Sequence, residues 1–272
     1  MTELPPAPYL PTSSREVFES TPLAQAGWYA DGQHGGVVSA LLGRAIEAVP
    51  TLEPMEMARL TVELFRVVPI VPLRVTTRVI REGKRIQMVE ASVFDPQSVE
   101  LARAVGLRLR RTDLDLPLAA ATPPLDLPGP DDIEPPDMTR WGIGGGGKIL
   151  YHRQAIEVRE ISGGFTRTGP AAMWLRILRP LVAGEPISPL TRAVVTGDFV
   201  NGLSRLVNPT EFVFMNADLT IHLHRMPVGE WVGVEAVSRY DPVGRGVATG
   251  RLLDIKGETG RSTQSLFLAP AS

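Results

Sequence analysis

The chain has 272 residues, 28 Lys+Arg against 30 Asp+Glu, a formal net charge of −2 and no cysteine. That length suits one large domain or two small ones with a sizeable core, and the near-neutral balance leaves no electrostatic footprint for nucleic acid and no polybasic membrane patch. Without cysteine there is no disulfide frame, thiolate nucleophile or Cys-based metal site. The opening Met1-Thr-Glu-Leu-Pro-Pro-Ala-Pro8 lacks the basic start and apolar stretch of a signal peptide. The best apolar run, Val67 to Val75, is broken by Pro69, Pro72 and Arg74. The expectation is a cytoplasmic chain with no membrane span.

The first predicted element is a helix over 35–49, opened by Gly35-Gly36. Val37, Leu41, Ala45 and Val49 share one face and Val38, Leu42 and Ile46 lie beside it, so the helix is apolar nearly all round and should be buried. Four strand-like stretches follow at 57–66, 73–82, 85–94 and 99–109, where apolar and polar residues alternate. The segment 112–140 then carries seven prolines, seven acidic residues and one basic residue. It can continue neither a helix nor a central strand and is expected to run over the surface as a semi-extended connector.

Gly142-Ile-Gly-Gly-Gly-Gly-Lys148 has the form of a phosphate-binding loop, but Ile149 stands where Ser or Thr should hold magnesium, and no buried strand precedes it. It reads as a hinge whose backbone amides could touch a phosphate, flanked by solvated Arg140, Lys148 and Arg153. A second, shorter helix is expected over Asp198–Val207, interrupted by Gly202, and four more strands at 211–225, 230–239, 245–255 and 261–268.

The two halves coincide under a shift of about 160 positions. Leu60-Thr-Val-Glu-Leu-Phe-Arg66 falls on Leu219-Thr-Ile-His-Leu-His-Arg225, Gly83-Lys-Arg85 on Gly244-Arg245, and Leu101–Leu109 on Arg261–Leu268. A helix followed by an antiparallel meander, used twice, predicts an α+β protein of duplicated units: 1–111, the connector 112–140, and 141–272.

Three positions in the second half stand out: Asp198 in Thr-Gly-Asp-Phe, Thr220 in Asp218-Leu-Thr-Ile-His-Leu-His-Arg225, and Gln264 in Ser262-Thr-Gln-Ser265. In their order and spacing the chain resembles the double hotdog acyl-CoA thioesterases, the group typified by bacterial thioesterase II. The likeness spans nearly all of the chain outside the connector. It departs at Leu219, where the family has His, and at Gln33-His34-Gly35-Gly36, where it has Phe-Gly-Gly-Gln. The resemblance implies two tandem units, each an antiparallel sheet wrapped around a central helix, and association into a homodimer or higher homo-oligomer. It also implies hydrolysis of an acyl-CoA by a water held by Asp198, Thr220 and Gln264, without cofactor or metal.

The residues agree with that assignment. Under the repeat shift the three positions fall on Val38, Thr61 and Ala104, so only the second half keeps the polar set. A carboxylate at the start of a buried helix would meet the positive end of the macrodipole, and it could take a proton from water. Gly35 and Gly36, with His34 before them, are the candidate oxyanion and substrate-binding residues, because glycine lets backbone N–H groups come close to an acyl carbonyl. Two other readings stay open. One is a non-catalytic module that binds acyl or aromatic ligands; the other is a hotdog hydratase using His34 with nearby Asp31. His222 and His224 point the same way but lack a third ligand, so metal is not expected. Trp28, Phe65, Trp174, Phe199 and Phe214 could line a tunnel or fill the core.

Overall fold

In the computed structural model, which describes residues 3–27, 31–117, 122–137 and 149–271, nearly every backbone element feeds one antiparallel sheet. The N-terminal half runs β1 (Tyr9–Pro11), β2 (Val17–Ser20), α1 (Gly35–Glu47), β3 (Met55–Leu64), β4 (Leu73–Arg81), β5 (Ile86–Phe94) and β6 (Glu100–Arg110). The C-terminal half runs α2 (Tyr151–Gln154), β7 (Ile156–Ser162), β8 (Ala171–Ile177), α3 (Pro189–Asp198), α4 (Val200–Leu203), β9 (Phe212–Asn216), β10 (Asp218–Leu223), β11 (Trp231–Asp241), β12 (Arg245–Asp254) and β13 (Gly257–Pro270). Among the described residues the strand order is β1-β2-β4-β5-β6-β3-β10-β13-β12-β11-β8-β7, with β9 paired to β13.

The two halves join where β3 meets β10, with Leu60 opposite Ile221 and Thr61 opposite Thr220. Alternation decides which side chains go inward. Leu60, Val62, Leu219, Ile221 and Leu223 are buried, whereas Thr61, Thr220 and His222 belong to the other face. On the inner face α1 packs against β3 to β6, and α3 against β8 and β10 to β13. The helices also pack on each other and run antiparallel. At one end Arg44 of α1 pairs with Glu185 at 2.5–2.6 Å, and Ser188 Oγ donates to Glu47 Oε2 at 3.1 Å. At the other end the start of α1 meets Asp198.

The sequence misplaced one element. The second helix begins at Pro189, not at Asp198, because Ser188 caps it by accepting the Thr191 N–H at 3.0 Å and proline suits its first turn. Asp198 therefore sits at the C-terminal end of α3, and the expected favourable dipole of its own helix is the unfavourable one. β7 and β8 were also missed. The inner strand β8 is buried on both faces, so it shows no alternation. Its Trp174 is covered by the connector, whose Pro128 carbonyl accepts the indole N–H at 2.9 Å. The described residues of the connector otherwise lie largely at the surface, with Asp126 bound to Arg251 at 2.8 Å. The glycine-rich 142–148, Trp28, Arg140 and Lys148 lie outside the described residues.

The N-terminal arm ties the halves a second time. Tyr9 exchanges backbone hydrogen bonds with Leu181 and Ala183 ahead of α3. Its hydroxyl, fully buried, donates to Gln33 Oε1 at 2.6 Å. Burial pushes that phenol well above its usual range, with the buried Tyr151 adding to the effect. Replacing Tyr9 by Phe leaves Gln33 Oε1 without its donor. The expected loss is about 1–2 kcal/mol of folding free energy, read from urea unfolding at constant m-value.

Candidate active site

A pocket of about 340 Å³ opens between the start of α1 and the end of α3. Its walls are mainly apolar, including Val38, Leu64, Phe165, Phe199 and Met215, and its mouth carries the exposed Phe65, Arg66, Val67 and Phe267. Polar side chains line it too, among them Gln33, His34, His152, Asp198, Asn201 and Asn216. Of the aromatic residues singled out in the sequence, Phe65 and Phe199 line the pocket, while Trp174 and Phe214 are buried in the core.

Asp198 is the centre of this group, its side chain only 6% exposed. Oδ1 accepts from Asn216 Nδ2 at 2.9 Å, and Oδ2 lies 3.2 Å from His34 Nδ1. The carboxylate lies against the first turn of α1. A Cβ on Gly35 would sit 3.1 Å from Asp198 Oδ1, and one on Gly36 would sit 3.0 Å from Asp198 Cβ. The two glycines are what allow so close an approach. The positive helix end that favours a negative charge on Asp198 thus belongs to α1, in the other half of the chain.

The first turn of α1 is largely satisfied. The N–H groups of Val37 and Val38 bond to the His34 carbonyl, and Gly36 N–H donates to His34 Nδ1 at 3.2 Å. Among the described residues only Gly35 N–H has no acceptor in this turn, and Gly35 lines the pocket. Gly36 was expected to offer a free N–H as well; it does not, because His34 caps the helix. The carboxylate beside His34 is Asp198, not Asp31, whose side chain is exposed.

Gln264 is fully buried on β13. Its Nε2 donates to the carbonyls of Gly197 and Asp198 at 3.1 and 3.0 Å, and its Oε1 accepts Asn201 N–H at 3.2 Å. With Ser262 Oγ, which donates to Gly197 O at 2.9 Å, it satisfies the carbonyls left over where α3 ends. Gln264 therefore holds the backbone that carries Asp198, with its amide fully engaged. Thr220 is on the outer face of the sheet, where its hydroxyl meets Thr61 at 3.4 Å, and it is absent from the pocket wall. The expectation that Thr220 shares a water with Asp198 fails because strand alternation turns it away from the helices. His222 and His224 are exposed, and His224 Nε2 meets Thr122 Oγ1 at 3.3 Å.

Asn216, not Thr220, lines the pocket beside Asp198. The single strand expected over 211–225 is two strands with a bend at Ala217, whose N–H bonds to Ser265 O and whose carbonyl accepts Leu64 N–H. The bend resets the alternation and brings Asn216 to the pocket. The Asn-Ala-Asp tripeptide before the strand was the available signal, since Asn and Asp favour such breaks.

A family model described as the acyl-CoA thioesterase N-terminal domain matches residues 24–109, and one described as the acyl-CoA thioesterase C-terminal domain matches residues 126–268. No curated protein matches the chain. Among solved structures, one from Thermobifida fusca YX named for thioesterase II superposes with a TM-score of 0.72 at 15% identity, covering 97% of this chain and 96% of that one. A conserved protein with a hot dog fold from Alicyclobacillus acidocaldarius gives 0.68 at 16% identity, covering 96% and 95%. The acyl-CoA thioesterase II TesB2 of Mycobacterium marinum gives 0.62 at 13% identity, again covering 96% and 95%. At such identities these likenesses speak for the hotdog fold alone.

Gln264→Leu should take their side-chain partner from the Asp198 carbonyl and the Asn201 N–H, while the Gly197 carbonyl keeps Ser262 Oγ. Roughly 2–4 kcal/mol of destabilisation is expected, measurable as a lower urea midpoint.

Proposed function

The chain belongs to the acyl-CoA thioesterase family and is a thioester hydrolase, and from that premise we propose that it cleaves an acyl-CoA ester with a water activated by Asp198. The observation that carries this reading is the Asp198 carboxylate in the pocket wall, against the unbonded Gly35 N–H at the start of a buried helix. A base and an oxyanion donor in one apolar pocket are the two parts that thioester hydrolysis needs.

The steps follow from those groups. The acyl chain occupies the apolar cavity and the thioester carbonyl lies toward Gly35. Asp198 takes a proton from water as the water oxygen bonds to the carbonyl carbon, and the carbonyl π pair moves onto oxygen, where Gly35 N–H stabilises it. The C=O then re-forms, the C–S bond breaks with its pair on sulfur, and the proton held by Asp198 passes to the departing thiolate. Asn216 fixes one carboxylate oxygen. Gln264 acts through the backbone as a positioning residue. Arg66, exposed at the mouth, suits the phosphates of CoA.

We read the chain as two tandem hotdog units, 1–111 and 141–272, joined by the connector 112–140. Support comes from the repeat in sequence, the β3–β10 junction and the packing of one long helix on each half of the sheet.

Free thiol release from a panel of short, long and aromatic acyl-CoA esters tests the assignment. Asp198→Asn should lower kcat about 100-fold or more, Asn216→Ala by a smaller factor, and Thr220→Val should stay near the parent. Equal rates for Asp198→Asn and the parent would defeat the mechanism.

A further inference from the structure

His34 has two incompatible neighbours. Its Nδ1 lies 3.2 Å from Gly36 N, which donates to it, and 3.2 Å from Asp198 Oδ2, which can only accept from it while ionised. A ring nitrogen carries either a lone pair or a proton. At any moment Nδ1 can hold the Gly36 N–H or bond to Asp198, not both. The other N–H groups of this helical turn have no such choice, since those of Val37 and Val38 are committed to the His34 carbonyl.

We infer that His34 is a proton-linked gate on the Gly36 N–H, releasing it as a second oxyanion donor only after Asp198 has deprotonated the water. This rests on the hydrolase reading above and adds a positioning role for His34 to it. Before attack, Nδ1 is unprotonated, Gly36 N–H is capped, and Gly35 alone faces the substrate oxygen. When Asp198 takes the proton from water, that proton moves from Oδ2 to Nδ1. The Nδ1–H now donates to the carboxylate and Gly36 N–H loses its acceptor. It turns to the oxyanion formed in the same step, beside Gly35 N–H. On collapse the proton returns through Oδ2 to the departing sulfur, giving the thiol, and Nδ1 recaptures Gly36. Water and thioester become acid and thiol, with no proton gained or lost by the protein. A donor that appears only with the negative charge favours the transition state over the bound ester, which is the condition for raising kcat without tightening ground-state binding.

The test separates this role from simple capping. Asn and Ser are good helix caps and accept an N–H as His34 does, but neither takes up a proton in the working range. His34→Asn and His34→Ser should fold with unfolding midpoints close to the parent and keep KM within about threefold. Their kcat should fall about 100-fold, the usual effect of losing one oxyanion donor. The pH profile of kcat should differ from the parent's in both variants. Tyr151 has its ring centroid 5.6 Å from that of His34, and the ionisable His152 and Arg66 line the same pocket; both variants leave all three in place. A folded His34→Asn or His34→Ser enzyme with parental kcat and an unaltered pH profile would overturn the gate, even with Asp198→Asn inactive. Full activity of Asp198→Asn would instead remove the hydrolase reading on which the gate rests.

Discussion

A carboxylate at the C-terminal end of its own helix is badly placed for a negative charge, because the α3 carbonyls point toward it. Asp198 is in that position and only 6% exposed. So little of it meets solvent that the protein supplies most of the compensation. Compensation comes from the first turn of α1, which the two halves bring against Asp198 by running their helices antiparallel under a shared sheet. Most other features near the pocket serve that single apposition. Gly35 and Gly36 remove the side chains that would hold the two helices apart, Gln264 and Ser262 take up the carbonyls where α3 ends, and Asn216 holds the outer carboxylate oxygen.

The same apposition makes the pocket dependent on both halves. Gly35 and His34 come from one, Asp198 and Asn216 from the other. The junction is secured at three levels: backbone pairing of β3 with β10, the ion pair of Arg44 with Glu185 at the far end of the helices, and the N-terminal arm anchored at Leu181 and Ala183. The ion pair is partly solvated and contributes modestly. The backbone pairing and the apolar helix contact carry most of the attachment. A change at the seam would therefore reach the chemistry by moving Gly35 relative to Asp198, without touching either.

The sequence was informative wherever one face of an element was buried and the other wet. Eight expected strands, 57–66 through 261–268, correspond to observed strands that end within a few residues of those limits, apart from the 211–225 stretch that divides at Ala217. The first helix was legible from its apolar periodicity and its glycine start. Periodicity failed for β8, whose two faces are both covered, and local signals were misread at Ser188-Pro189, where a cap and a first-turn proline mark the true start of α3. The family resemblance located Asp198 and Gln264 but not what each touches. Thr220 looked like a partner of Asp198 only while 211–225 was taken as one continuous strand; the bend at Ala217 moves that place to Asn216.

The two ends of the helix pair are built alike and differ in the residues that open each helix. At the opposite end the arrangement is echoed: Ser188 caps α3 as His34 caps α1, and Glu47 meets Ser188 as Asp198 meets His34. There the carboxylate is partly buried and pushed above its usual range by desolvation, with the Ser188 hydrogen bond and Arg108 opposing the shift. What differs is the first turn. α3 begins with Pro189-Leu190, which has no glycine and no N–H at its first position, so it lacks both the small residue and the donor that Gly35 supplies there. Arg44 and Glu185 form an ion pair there, on the wall of a smaller cavity of about 230 Å³. The two ends thus share a frame and diverge at the residues that open each helix: Gly35 brings a small residue and a donor to the first position, whereas Pro189 brings neither.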